Sequence, residues 1–186
     1  MLASTSIYRR QLLGRLNVPF ECIAPGVDET PLAGEPGLAL AVRLARAKAV
    51  AVAGLRPDSW VIGSDQVAAL PDGSVLGKPG TRGRSIEQLQ ACSGQVVSFH
   101  TAVALVRLGN ASQREFVDTT RVAFRVLGRE ELERYVDEES ALDCAGGFKS
   151  EGLGIVLCDS IDSSDPTALI GLPLIRLSSA LRSIGF

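Results

Sequence analysis

Six charged residues in this 186-residue chain could do chemistry together: Arg9, Arg10, Lys48 and Lys78 as cations, Glu29 and Asp65 as carboxylates. The stretch from Trp60 to Pro79 shows why Asp65 stands out. An apolar, β-branched run breaks at Gly63-Ser64-Asp65-Gln66 and then resumes. A carboxylate sits where a buried strand would carry Val or Ile. A Pro71-Asp72-Gly73 turn sends the chain back, and the return strand ends in Gly77-Lys78-Pro79. That pattern predicts a hairpin with Asp65 and Lys78 on neighbouring strands. Several cations with a few carboxylates are what metal-assisted phosphoryl chemistry requires. The cations spread the charge of a polyphosphate, one carboxylate holds the metal, and another deprotonates or orients water. Taken one at a time, any of these residues could equally be structural.

The elements that must position them are legible in outline. Ser4-Thr5-Ser6 offers helix N-caps for a helix over residues 7–16. Arg9 and Arg10 fall near its start, where backbone amides already present positive charge. An anion shared with those amides would explain them, as would two solvated surface arginines. Residues 20–24 read as a short strand, and 25–36 as a Gly- and Pro-rich loop containing Val27-Asp28-Glu29-Thr30. Adjacent carboxylates there fit a hard divalent cation or a solvated turn. Residues 37–53 form the clearest helix, with Leu38, Val42, Ala45, Ala49 and Val52 as its apolar stripe. Lys48 lies about 80° from the centre of that stripe, at its border. From there it snorkels to water or reaches into a cleft.

Further along, residues 81–85 read as a polar turn and 86–92 as a short helix. Residues 96–108 and 115–126 read as two long strands, and 129–138 as an amphipathic helix. The stretch Cys144–Gly154 is dense in glycine and carries Lys149 and Glu151, which marks a loop able to approach a ligand closely. Residues 155–158 read as a strand and 166–171 as one helical turn. Pro173 suits the first position of a final helix reaching about residue 184. The irregular alternation gives an α/β class: a mixed, twisted central sheet flanked by helices, with residues 1–186 as one domain.

Composition narrows the function classes. The chain is 46% hydrophobic and 22% charged with a net charge of −2, which fits a folded core and argues against nucleic acid as the main partner. Four widely spaced cysteines and one histidine give no zinc pattern, and the thiols are expected to be reduced and mostly buried. His100 is expected to be structural. No signal pattern or bilayer-length apolar run is visible, so a soluble, cytoplasmic protein without membrane contact is expected. Neither a Walker A loop, nor a G-x-G-x-x-G fingerprint, nor a Ser-His-acid set is apparent.

The ordered set Leu2-Ala3-Ser4-Thr5-Ser6-Ile7-Tyr8-Arg9-Arg10, Val27-Asp28-Glu29-Thr30, the Lys48 helix, Gly63-Ser64-Asp65-Gln66, Gly77-Lys78-Pro79 and Cys144–Gly152 resembles the Maf family of septum-formation-inhibitor-like nucleotide pyrophosphatases along essentially the whole chain. The resemblance implies an elongated α/β fold, similar to the ITPase-like one, with a cleft between two lobes and often a dimer. It implies hydrolysis of a nucleoside triphosphate between the α- and β-phosphates with a divalent cation such as Mg²⁺, Mn²⁺ or Co²⁺. It implies Asp65 as general base, Ser6, Arg9, Lys48 and Lys78 as phosphate ligands, and Glu29 with Asp65 at the metal. Arg10 is an additional candidate.

Within that family, Tyr8, Gln66 and Glu151 resemble the 7-methyl-GTP branch rather than the dTTP/UTP branch, which carries Arg, Thr and Gln there. The physics agrees. A 7-methylated guanine is cationic, an aromatic face attracts a cation by roughly 0.5–2 kcal/mol, and a carboxylate both accepts from the guanine N–H edge and offsets the ring charge. Two residues depart from the branch: Tyr8 stands for its usual tryptophan and Ile7 for its usual proline. Only Met1 and Leu2 precede Ala3, which suggests an upstream start or a trimmed first strand. The rival readings are a dTTP/UTP pyrophosphatase of the same family and a non-catalytic, nucleotide-sensing regulator of cell division.

Overall fold

The structure is a computed structural model that describes residues 1–139 and 141–186. Its frame is a mixed sheet of six strands: β1 (Leu2–Ala3), β2 (Val61–Ala69), β3 (Val75–Leu76), β4 (Val96–Arg107), β5 (Ser112–Phe124) and β6 (Cys158–Asp162). The order is β1-β2-β4-β5-β6, with β3 paired to β2 off this path. β1 runs parallel to β2, and the other pairs are antiparallel. Five α-helices accompany it among the described residues: α1 (Ile7–Gly14), α2 (Gly37–Leu55), α3 (Arg82–Cys92), α4 (Arg129–Glu138) and α5 (Leu174–Arg182).

Side chains alternate between the two faces of each strand. One face of β2 and β4 packs on α2, where Leu40, Leu44, Ala45, Ala49, Val61, Val67, Ala102 and Ala104 share one core cluster. Alternation puts Asp65 on this face, between Gly63 and Val67. Gly63 makes the contact close. A Cβ built on it would collide with the backbone of Ala45 and Ala49, so only glycine lets α2 lie this near to β2.

The opposite face carries two apolar clusters, one around Ile62, Val103 and Leu105, the other around Ala68, Phe99 and Val122. Between them runs a polar row. Gln66 of β2 sits opposite Thr101 of β4, which sits opposite Asp118 of β5. The segment from Ser163 to Gly171 crosses this row and is tied down by it: Ser64 Oγ donates to the Gly171 carbonyl, Thr101 Oγ1 to that of Ala168, and Ser164 Oγ to the Asp118 carboxylate.

Several expectations need correction. The buried stripe of α2 is Leu40, Ala41, Leu44, Ala45, Lys48, Ala49 and Val52, while Leu38 is exposed. Lys48 is therefore inside the buried face rather than at its border. The strand expected at 20–24 is reduced to one bridge, Cys22 to Leu2, since the flanking Pro19 and Pro25 have no amide to extend a ladder. The polar turn at 81–85 is the first turn of α3, capped by Thr81. The strand expected at 155–158 is a 3-10 segment, Leu153–Leu157, with β6 following it. Gly154 N–H donates back to the Lys149 carbonyl and keeps the chain turning there. Residues 166–171 form hydrogen-bonded turns without a helix. Pro173 is the N-cap of α5, which ends at Arg182. Only Cys92 and Cys158 are buried; Cys144 is half-buried and Cys22 exposed. His100 takes the expected structural place, with Nδ1 hydrogen-bonded to Thr119 Oγ1 at 3.0 Å.

Candidate active site

β1 pairs with β2 only as far as Gly63, and β3 pairs with it only from Ala68. The outer edge of β2 from Ser64 to Val67 thus has no strand partner among the described residues. A cleft of about 580 Å³ opens at that gap. The break in strand pairing is what lets side chains from both faces of one strand, Asp65 and Gln66, reach the same cavity. The cleft is also lined by Ser6, Tyr8 and Arg9 around the start of α1, Glu29 from the loop before α2, Lys48 from α2, Lys78 beyond β3, and Glu151 from the glycine-rich loop. Arg10 is exposed and does not line it. Because β3 ends at Leu76, Lys78 is not the cross-strand partner of Asp65, although both reach the cleft.

Charge converges at one end. Lys48, 5% exposed, places its ammonium 2.6 Å from Asp65 Oδ1 and 2.5 Å from Glu29 Oε1. Asp65 is itself 7% exposed, so this ion pair lies largely out of water. Partial burial pushes the Glu29 carboxyl up, but the hydrogen bond and charge of Lys48, with Lys78 and Arg9, outweigh it and hold Glu29 below the usual carboxylate range. Arg9 donates through Nε to the Gly171 carbonyl at 3.0 Å, which leaves four N–H donors of its guanidinium. Burial lowers the Arg9 pKa, and Asp65 and Glu29 oppose the shift. Ser6 caps α1, its hydroxyl oxygen accepting from the Arg9 amide at 3.4 Å. Its own proton remains available to an acceptor in the cleft.

The fit to a divalent cation can be tested on these atoms. One oxygen each of Asp65 and Glu29 is taken by the Lys48 ammonium, and the second oxygen of each carboxylate is left for a cation. Among the described residues no group of three or more His, Cys, Asp or Glu side chains could hold a metal. A pair of carboxylates completed by water and phosphate oxygens is the usual mode for Mg²⁺-like ions on nucleotides. The donor set fits such an ion.

The other end is aromatic and acidic. Tyr8 is half-buried, and its phenol is pushed above the usual range by burial and by Cys144, Asp143 and Glu151, against the opposing charge of Lys149. Lys149 holds its ammonium 5.8 Å from the Tyr8 ring centroid while pairing with Glu139 at 2.8 Å. Glu139 also accepts from the Leu153 amide, and Tyr135 OH bridges Gly147 O and Lys149 N. The loop around Gly146 and Gly147, both at positive φ, is thereby pinned to α4. Glu151 is exposed at the rim. Gln66 donates its amide nitrogen to the carbonyls of Ala168 and Leu169 at 3.0 and 2.9 Å, so its amide oxygen is the end left for a ligand. Asp143, in the cleft wall, was missed in the sequence. Its only signal is its place directly before Cys144 in the glycine-dense stretch.

A cleft with a carboxylate–lysine–carboxylate centre at one end, its Lys48–Asp65 pair buried, and an aromatic, acidic wall at the other defines a site for a charged, ring-bearing small molecule. The family described as Maf-like protein matches residues 1–184, and the chain belongs to that family. It is 59% identical over 186 residues, all of this chain and 96% of the relative, to the 7-methyl-GTP pyrophosphatase of Xanthomonas axonopodis pv. citri. It is 56% identical over 185 residues, all of this chain and 95% of the relative, to the protein of that name from Aromatoleum aromaticum. The namesake from Polaromonas sp. is 54% identical over 185 residues, all of this chain and 84% of the relative. Pyrophosphatases of this family are generally metal-dependent. No helix among the described residues is long and apolar enough to cross a membrane.

Proposed function

We propose that residues 1–186 act as one domain that hydrolyses 7-methyl-GTP to 7-methyl-GMP and pyrophosphate. The observation that carries this reading is the Glu29–Lys48–Asp65 centre, with a buried carboxylate 2.6 Å from a buried ammonium in the wall of a nucleotide-sized cleft. The full-length likeness to relatives bearing that activity in their names supports it.

Lys78, the remaining donors of Arg9 and the Ser6 hydroxyl bind the triphosphate and spread its charge. Lys48 braces Asp65 and takes part of the phosphate charge. Asp65 accepts a proton from the attacking water as that oxygen bonds to the α-phosphorus. The bond from the α-phosphorus to the bridging oxygen breaks, and pyrophosphate leaves. Glu29 and Asp65 would hold the divalent cation, which when bound neutralises phosphate charge as a Lewis acid. At the other end Tyr8 stacks on the cationic base, with Glu151 and Asp143 supplying compensating negative charge. Gln66 offers its amide oxygen to the base edge. The four free thiols suit a reducing compartment, which supports a cytoplasmic setting.

The test is a nucleotide panel with Mg²⁺ or Mn²⁺ and detection of released pyrophosphate. The expected order places 7-methyl-GTP above GTP, UTP and dTTP. Preferential turnover of UTP or dTTP overturns the assignment of the base, and absence of turnover with every nucleotide overturns the activity.

A further inference from the structure

We propose that Thr101 is a positioning residue for base selection: its buried hydroxyl couples Gln66 to the Ala168 carbonyl and so fixes the Leu169–Ile170 wall of the cleft. This deepens the reading above and rests on it.

Thr101 does not touch the cleft. It lies on β4, directly opposite Gln66, and is 0% exposed. Its hydroxyl donates to Ala168 O at 2.9 Å and accepts from Gln66 Nε2 at 3.0 Å. A threonine hydroxyl has one proton and two lone pairs, so this arrangement uses the donor and one acceptor position. Gln66 Nε2 has two protons for three acceptors: Thr101 Oγ1, Ala168 O and Leu169 O. The three groups therefore form one closed, shared network. Because its nitrogen is held there, Gln66 is locked with its oxygen outward, and the choice between the two amide orientations is made by Thr101 and the two carbonyls.

The network holds more than one side chain. Leu169 and Ile170, next to the tethered carbonyls, line the cleft. The rest of the segment is anchored on the same polar row, through Ser64 to Gly171 and Asp118 to Ser164. Leu169 belongs to one of the flanking apolar clusters and Ile170 packs against the other, so the row lies under the seam between them, and its hydrogen bonds fix the Ala168 and Leu169 carbonyls there. Thr101 is the central member and the fully buried one that contacts both Gln66 and the segment. Asp65 and Lys48 stand on the other face of β2. Loss of the Thr101 hydroxyl leaves their ion pair untouched.

Thr101→Val is nearly isosteric and removes only the hydroxyl. Thr101→Ser restores it. Steady-state pyrophosphate release is measured for 7-methyl-GTP and GTP with the wild type and both variants, alongside thermal melts. Thr101→Val should raise KM for 7-methyl-GTP and reduce the discrimination against GTP by about tenfold, with kcat changed less than twofold, because the Ala168 carbonyl loses the hydroxyl's proton and Gln66 loses one of its three anchors, at the base end alone. Thr101→Ser should return both values to the wild-type range. A Thr101→Val protein that melts lower but keeps wild-type KM and discrimination overturns the proposal, as does an equal loss of kcat for both nucleotides. If the valine variant does not fold, Thr101→Ala removes the same hydroxyl and carries the same expectations; failure of both to fold, with Thr101→Ser active, also counts against it by making the role one of stability. A wild type that does not prefer 7-methyl-GTP instead refutes the functional reading beneath it.

Discussion

Replacing Lys48 with glutamine isolates the centre of the site. In the wild type the Asp65 and Glu29 oxygens lie 2.6 and 2.5 Å from the same ammonium, so they are at most about 5 Å apart. Without the ammonium the two carboxylates face each other. At an effective dielectric of about 20, two unit charges at about 5 Å repel by roughly 3 kcal/mol. The Glu29 side chain is 49% exposed and can turn toward water, which reduces this to about 1–2 kcal/mol. For a chain of this size that is a fall in Tm of about 2–8 °C. The sign with pH follows. In the wild type Glu29 is held low by Lys48, so its stabilisation is present above its ordinary value and fades as pH falls through the folded one. In Lys48→Gln the pair repels, one carboxyl titrates above its ordinary value, and stability falls as pH rises through it. The deficit relative to wild type should be largest at pH 7–8 and shrink toward pH 4–5. A divalent cation should restore part of the deficit at pH 7–8, because its charge takes over from the ammonium in offsetting the two carboxylates. Thermal melts across that pH range, with Mg²⁺ and with a chelator, decide the matter. A variant with an unchanged Tm, or a deficit that grows toward low pH, refutes the electrostatic account.

Two further outcomes follow from the geometry. Gly63→Ala drives a methyl group into the backbone of α2 and should lower stability by about 1–3 kcal/mol. It should also depress kcat, since α2 carries Lys48; melts and turnover measured together check both. Tyr8→Trp offers a larger face to a cationic ring and should lower KM for 7-methyl-GTP by about two- to fivefold while leaving KM for unmethylated GTP nearly unchanged. An equal change for both nucleotides would remove the cation-based explanation.

Much of this architecture was written locally in the chain. The Pro71-Asp72-Gly73 turn, the β-branched run before it and the charged face of α4 each depend on near neighbours, and each formed within a residue or two of expectation. What escaped was decided at a distance. α2 is so rich in Ala and Val that two overlapping stripes are nearly equivalent. The sheet's contact with Gly63, far along the chain, chose the one containing Lys48. That choice turned a border lysine into the partner of Asp65, in place of the expected hairpin partner Lys78. β6 carries the polar sequence Cys158-Asp159-Ser160-Ile161-Asp162, and it is a strand because β5 has an edge to pair with, not because of its own pattern. The same holds at the site. The types and order of Glu29, Lys48, Asp65 and Lys78 announced phosphoryl chemistry, whereas the gap between β1 and β3 that opens the cleft, and the buried row through Thr101, exist only once the strands are paired.

The central claim is that Asp65 activates water against the α-phosphorus of 7-methyl-GTP. It is tested most directly by kcat/KM for pyrophosphate release with wild type and Asp65→Asn, at saturating Mg²⁺ or Mn²⁺, on protein shown by thermal melting to be folded. Loss of a positioned base should lower kcat/KM by about 10²–10⁴-fold. A folded Asp65→Asn enzyme that releases pyrophosphate at the wild-type rate would contradict it.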